Sequence, residues 1–362
     1  MKKFFYFIPL LMACLSTFTA CSDDDDPDVY RKFEPTASSG AYVINQGNFY
    51  SKISSSIGYL DYGNGTLTDS VFVAQNGILP GNTLQDAVIH GDYFFAIAYE
   101  SNVMFITDKN TLKLQKMIPI SAPRDLVAED GYVYISNYGG YVTRFNARTM
   151  TLLDSLQVGP NPEEMALANG YLYVTISDGM NYSNGYVNGK KVAKVNLASW
   201  KVEKYIDVEV NPTLITADAE GNVFVISMGN YADILSTVQK IDANDKVTVL
   251  GNATMMAVSG TTLYTIYSYT NWSTYETVNT YYNYNTQTGA VVKSGAFDVV
   301  KYPNGISIDP VTKHLFVTAD PAGDYGANYK GAGTVSELDT NGNLLNTYAT
   351  GVHPAHLVFN VK

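Results

Sequence analysis

Cysteine is nearly absent from this 362-residue chain; the only two, Cys14 and Cys21, lie close to the N-terminus. They cannot build a disulfide framework or a thiolate metal cluster. With only four histidines, little remains for a transition-metal centre. Charged residues make up 16% of the chain, and basic residues are the scarcer sign: 23 Lys+Arg stand against 34 Asp+Glu, a net charge of -11. That balance lacks the basic footprint that grips nucleic acid. Amphipathic helical periodicity is almost missing, and tryptophan occurs twice. Tyrosine, by contrast, is abundant, with 29 residues. The hydrophobic share of 46% belongs to a folded chain and argues against long disordered stretches.

The one strongly apolar run lies at the start. Lys2 and Lys3 precede Phe4 to Ala13, and small or uncharged residues follow from Ser16 to Ala20. This is the pattern of a secretory signal over residues 1–20, too short to remain as a membrane span. It ends in Phe18-Thr19-Ala20-Cys21, which resembles a bacterial lipobox, with cleavage before a cysteine that becomes lipidated. Leu11-Met12-Ala13-Cys14 is a rival with a shorter apolar run, so Cys21 is the expected lipidation site. Ser22 and Asp23 to Asp26 resemble the acidic signal that sends Bacteroidota lipoproteins to the outer face of the outer membrane. Residues 21–39 then read as a lipidated, acidic, flexible tether. Losing residues 1–20 removes two lysines and no acid, which takes the charge from -11 to -13. With Cys21 acylated no free thiol remains, and stability must come from packing.

Internal repetition sets the fold class. An x-apolar-aromatic-apolar strand starts at residues 40, 93, 132, 171, 222, 262 and 314, in steps of 53, 39, 39, 51, 40 and 52. A unit of about 40 residues with occasional insertions is the spacing of a four-stranded propeller blade. Before each such strand lies another that usually follows a proline, as at Pro123, Pro162, Pro212, Pro303 and Pro354. After each lies a hairpin whose turn opens with Asp61, Asp108, Asn146, Asn196, Asp242, Asn285 or Asp339. Asx side chains cap tight turns and tolerate left-handed backbone. The expectation is an all-β, seven-bladed β-propeller of four-stranded blades over residues 40–362. The chain starts on a second strand and ends on a first strand, Pro354 to Val361. The C-terminal strand must therefore join the N-terminal blade and close the ring.

Blade connectivity sorts the loops onto two faces. The long ones, Asn45 to Ser56, Ser177 to Lys191, Gly229 to Ser236, Tyr267 to Val278 and Asp320 to Gly333, share one face. They carry Phe49, Tyr50, Tyr182, Tyr186, Tyr231, Tyr267, Tyr269, Trp272, Tyr275, Tyr325 and Tyr329 among Asn, Ser and Gly. Such a surface suits a bulky, partly polar ligand, because Tyr and Trp give rigid amphipathic contact area. Tyr93, Tyr132, Tyr134, Tyr171, Tyr173 and Tyr264 sit in core strands and are assigned to packing. Where the inner strands begin, Gln85, Asp86, Arg124, Asp125, Glu163, Glu164, Thr213, Asn304 and His356 should rim the central funnel. They would either bond amide-rich ligands or hydrate the channel.

Catalytic signatures are missing: no P-loop, dinucleotide fingerprint or nucleophile triad stands out. Glu163 and Glu164 are adjacent in a strand, so they point apart and make a poor acid–base pair. His353 and His356 are the only clustered histidines. Asp178 to Asn181 and Asp320 to Asp324 are acidic stretches without a recognised calcium-loop spacing. No catalytic cofactor and no metal are expected.

These repeats resemble the YncE-type, surface-layer-like seven-bladed propellers. With the lipobox at Cys21 and the Asp23 to Asp26 tail, the chain resembles the BtuG-type cobalamin-binding lipoproteins of Bacteroidota. The resemblance implies capture of vitamin B12 and related corrinoids at the cell surface and delivery to a BtuB-type TonB-dependent transporter. With four histidines and no paired cysteines, no enzymatic turnover is expected. The open alternative is a surface propeller that binds a glycan or a protein partner, for which the same Tyr/Trp/Asn surface is suited.

Overall fold

The computed structural model describes residue 30 and residues 34–271, 273, 274, 276–321 and 329–362. Their strands form seven antiparallel sheets of four. In blade 1 the C-terminal strand Pro354–Val361 pairs with Ser38–Asn45, followed outward by Ser56–Asp61 and Thr66–Thr68. Pairing runs from Ser38↔Val361 to Asn45↔Pro354, so the last strand closes the ring as expected. The inner strands of blades 2 to 7 are Leu84–His90, Pro123–Glu129, Pro162–Ala168, Pro212–Ala217, Met255–Ser259 and Pro303–Ile308.

The repeated aromatic strand is the second of each blade and the most deeply buried. Its apolar residues face both neighbouring blades, because each sheet is covered on two sides. Seven apolar clusters fill the seven interfaces. Between blades 2 and 3, Phe95, Ile97 and Met104 pack on Leu126, Val133 and Phe145. Between blades 7 and 1, Phe316 and Val335 pack on Val43, Leu60 and Leu357. The closing interface is thus filled like the others and leaves no apolar gap for water.

The outer hairpins turn on their Asx residues. Asp108 accepts from the N–H groups of Asn110 and Thr111 at 3.1 and 2.9 Å, and Asp339 from those of Asn341 and Asn343 at 2.8 Å each. Asp61, Asn146, Asn196, Asp242 and Asn285 likewise accept from backbone N–H groups two to four residues on. Inner hairpins at Asp130-Gly131 and Asn169-Gly170 hold both residues at positive φ, the twist that matches right-handed strands.

Three features differ from the sequence reading. The segment read as tether contains Tyr30, which is buried against blades 2 and 3. Its hydroxyl donates to the Ala147 carbonyl at 3.1 Å, its ring lies 4.8 Å from His90, and the Arg148 guanidinium lies over it. The first strand begins at Ser38, whose hydroxyl donates to Asp309 at 2.9 Å. Second, a six-residue helix, Val71–Asn76, enters blade 2 and buries Phe72. Third, Tyr267 to Val278 is mostly strand. The second and third strands of blade 6 run ten residues each, Thr262–Asn271 and Glu276–Asn285. Alternating aromatic and β-branched residues there favour continued pairing over a loop. Residues 1–20 and Cys21 lie outside the described residues.

Candidate ligand-binding face

Inner strands enter the ring from the long-loop face through a register shift. It falls between Leu84 and Asp86, Pro123 and Asp125, Pro162 and Met165, Pro212 and Leu214, and Pro303 and Gly305. Such a bulge turns successive side chains in new directions. The residue after the proline reaches toward the loops. The next one reaches sideways to the adjacent inner strand.

Those sideways groups lace the blades together. Leu126 N–H donates to Asp86 Oδ2 at 2.7 Å, Met165 N–H to Asp125 Oδ2 at 2.7 Å, and Ile215 N–H to Glu164 Oε2 at 3.0 Å. Across the other side, Leu357 N–H donates to Ser307 Oγ at 3.0 Å. His356 Nε2 lies 3.0 Å from Asp86 Oδ1. These side chains line a cavity of about 480 Å³ on the floor of the funnel, with Gln46, Gln85, Asn304 and His353.

Crowded, dry carboxyls resist ionisation. Burial, with the charges of Asp86 and Glu164, pushes Asp125 well above the ordinary carboxyl range. Burial pushes Glu164 up to about 8, against the Ile215 N–H and His356. Burial also works against protonated His356, but the hydrogen-bonding contact and charge of Asp86, with Glu164, lift its pKa above the usual imidazole value. The channel floor is therefore a proton-holding cluster and a structural one.

Above it, Arg124 and Glu163 project toward the loops in blades 3 and 4. Arg124 contacts Glu163 Oε2 through Nε at 2.7 Å and Nη2 at 2.6 Å, and donates through Nη1 to Gln85 Oε1 at 3.1 Å. Its guanidinium lies over Tyr138, 4.5 Å from the ring centroid, and over Tyr99 at 5.3 Å. The Tyr138 hydroxyl donates to Glu163 Oε1. Burial disfavours the Arg124 charge, yet Glu163 more than offsets it and raises the pKa. Glu163 and Glu164 do point apart, as their adjacency implies.

A second station joins blades 7 and 1. Asp320 Oδ2 lies 2.9 Å from His353 Nδ1, Asn304 Nδ2 lies 3.5 Å from the same atom, and Tyr329 stacks on the imidazole at 4.1 Å and 10°. Asn48 Nδ2 donates to the Tyr329 carbonyl at 2.7 Å. Burial raises the Tyr329 hydroxyl pKa, helped by Asp320 and Tyr50.

Around these stations stands a crown of exposed side chains. Tyr182 and Tyr231 are 69% and 71% exposed, with Phe49, Tyr50, Ile78, Leu79 and Met180 also open to solvent. Among the described residues, no large apolar side chain in a short turn is exposed. Tyr186 is buried at 5%, with φ of +53°, because its chain folds back in the loop after the short helix Gly179–Asn184. Tyr269 is half-exposed on blade 6, away from the funnel lining. Trp272, Tyr275 and Tyr325 lie outside the described residues. Asp178 is engaged by Asn181 Nδ2 and Asn188 N–H at 3.0 and 2.9 Å. Sequence reasoning missed Tyr99 and Tyr138. Both follow a core strand directly and stand one 39-residue repeat apart, a signal visible in the register of the repeats.

Seven four-stranded blades around a polar channel, with long loops on one face, make the chain a seven-bladed β-propeller. It belongs to the family described as "Domain of unknown function (DUF5074)", which matches residues 39–360. None of the curated proteins matches the sequence. Among solved structures, the hydrazine synthase of Kuenenia stuttgartiensis is similar at 15% identity, covering 78% of this chain and 93% of that one with a TM-score of 0.61. A quinonprotein alcohol dehydrogenase-like protein from Bacteroides thetaiotaomicron, also at 15% identity, covers 89% of this chain and 78% of its own with a TM-score of 0.59. Apo AztD from Citrobacter koseri, at 12% identity, covers 90% and 100% with a TM-score of 0.55. At such identities the likeness is one of fold.

Proposed function

We propose that this propeller is a non-enzymatic binding protein that captures cobalamin and related corrinoids on its long-loop face. In this reading Cys21 anchors it at the surface of the outer membrane, and it passes the ligand to a BtuB-type TonB-dependent transporter. The observation that carries the reading is the set of exposed Tyr, Phe and aliphatic side chains in the long loops beside a polar funnel, with none in the short turns of the opposite face. A corrin is broad and apolar on its faces and fringed with amides. Tyr182, Tyr231 and Tyr50 supply flat contact area, while Gln85, Asn304 and the His353 station supply amide and imidazole partners at the funnel rim. The name of the ligand comes from the resemblance at the lipobox, the acidic tail and the blades.

Arg124 and Glu163 satisfy one another, and the channel carboxyls accept backbone N–H groups. Both arrangements serve a rigid platform better than proton transfer. Isothermal titration of the chain from residue 22 with cyanocobalamin is the test. One-to-one heat with sub-micromolar affinity supports the reading. No heat from a protein that melts cooperatively overturns it and leaves the glycan or protein-partner alternative.

A further inference from the structure

Blade 6 carries a second cleft that shares no lining residue with the funnel. Its volume is about 800 Å³. The cleft exists because blade 6 overhangs blade 5. The ten-residue strands of blade 6 stand beside five-residue counterparts, Val223–Ser227 and Thr237–Ile241. Register places Tyr267 opposite Thr280 and Thr265 opposite Tyr282, so strand alternation sets Tyr267, Tyr269, Thr280 and Tyr282 on one face. Asn252, from the loop leaving blade 5, meets that face. Tyr284 is its buried floor, with its ring 6.3 Å from that of Tyr282 and 25° from parallel.

Among the described residues, no charged side chain lines this cleft. Among the described residues, the hydroxyls of Tyr267, Tyr269 and Tyr282 make no hydrogen bond within the protein. A molecule that matches this lining is uncharged, flat on one side and rich in hydroxyls at its edge. A pyranose ring has that form: an apolar C–H face that lies on an aromatic ring and equatorial hydroxyls that meet phenol, threonine and amide groups. Tyr267 and Tyr269 are spaced roughly 7 Å apart along the strand, which extends the platform beyond one sugar. We propose that the blade 6 cleft binds a neutral oligosaccharide, stacked along Tyr267, Tyr269 and Tyr282. The site is independent of what the funnel binds.

The test is isothermal titration of the chain from residue 22 with cellohexaose, xylohexaose, mannohexaose and maltohexaose, without corrinoid. At least one should bind with a Kd below about 1 mM. Tyr269→Ala and Val278→Asp, both at exposed positions, should each weaken that binding at least tenfold with an unchanged melting temperature. Absence of heat with all four sugars from folded protein overturns the proposal. So does sugar binding that survives both substitutions at full strength. Cyanocobalamin titration of the same variants reads the funnel separately, so either site can fail alone.

Discussion

On the short-turn face, all seven outer hairpins reverse on an Asp or Asn that caps its own backbone, and no large apolar side chain in those turns is exposed. On the opposite face the same repeat opens into loops that display Tyr50, Leu79, Tyr182 and Tyr231 to solvent. The short turns have few solutions, because four or five residues must reverse the chain and satisfy its N–H groups. The long loops have many, because the inner strands and blade interfaces already hold the ring. Residues free of structural duty are where contact surface can accumulate at little cost in stability. Between the two faces lies an intermediate layer, the funnel rim, whose charged groups look like ligands in sequence yet hold the blades together.

That layer gives the largest expected effect. Arg124→Ala strands the Glu163 carboxylate, whose side chain is 8% exposed, and should cost about 3 kcal/mol in urea unfolding. A loss below about 1 kcal/mol would move Arg124 from the framework to the binding surface. The channel floor predicts a pH profile of the same origin. Asp125, Glu164 and His356 all hold protons more tightly in the folded ring than in the unfolded chain. Stability should therefore be highest in mild acid and decline as pH rises from the ordinary glutamate value, 4.5, through about 8. Asp108 and Asp245, held below the usual range, lose their contribution only in stronger acid. Melting temperatures should drop by several degrees between pH 5 and pH 9. A flat or rising profile would show that the floor carboxyls are ionised and hydrated.

Smaller still, Asp108→Ala removes two backbone caps and the Thr111 hydroxyl contact. It should cost about 1 kcal/mol and leave ligand binding untouched, as chemical denaturation and titration together would report. Tyr182→Ala and Tyr231→Ala should change stability by less than about 0.5 kcal/mol and, on the proposed function, weaken cyanocobalamin binding about tenfold. If instead they destabilise and leave capture intact, the contrast between the faces disappears.

The ring was legible because its signals are periodic: seven core strands, seven Asx turns and a terminal strand without a partner in its own stretch of sequence. The candidate site was legible only by position. Asp86, Asp125 and Glu164 were identifiable as funnel residues, but their bonds to Leu126, Met165 and Ile215 depend on bulges that a strand pattern does not announce. Tyr182 and Tyr186 lie four residues apart in one loop, yet the first is exposed and the second buried where the chain turns back through Gly185 and Tyr186, both at positive φ. Tyr30 looked like tether because its neighbours are charged. Its burial depends on the His90 and Arg148 turns, which lie 60 and 118 residues further along the chain.

The pairing of Ser38–Asn45 with Pro354–Val361 also has a meaning for biosynthesis. A ribosome makes the first of these strands some 300 residues before the second. Until the last strand emerges, the sheet that opens the chain has a bare inner edge, and the interfaces on both its sides lack a layer. Closure therefore waits for the Pro354–Val361 strand and has very high contact order. A chain that lacked Pro354–Val361 would keep six complete blades and a ring that never shuts.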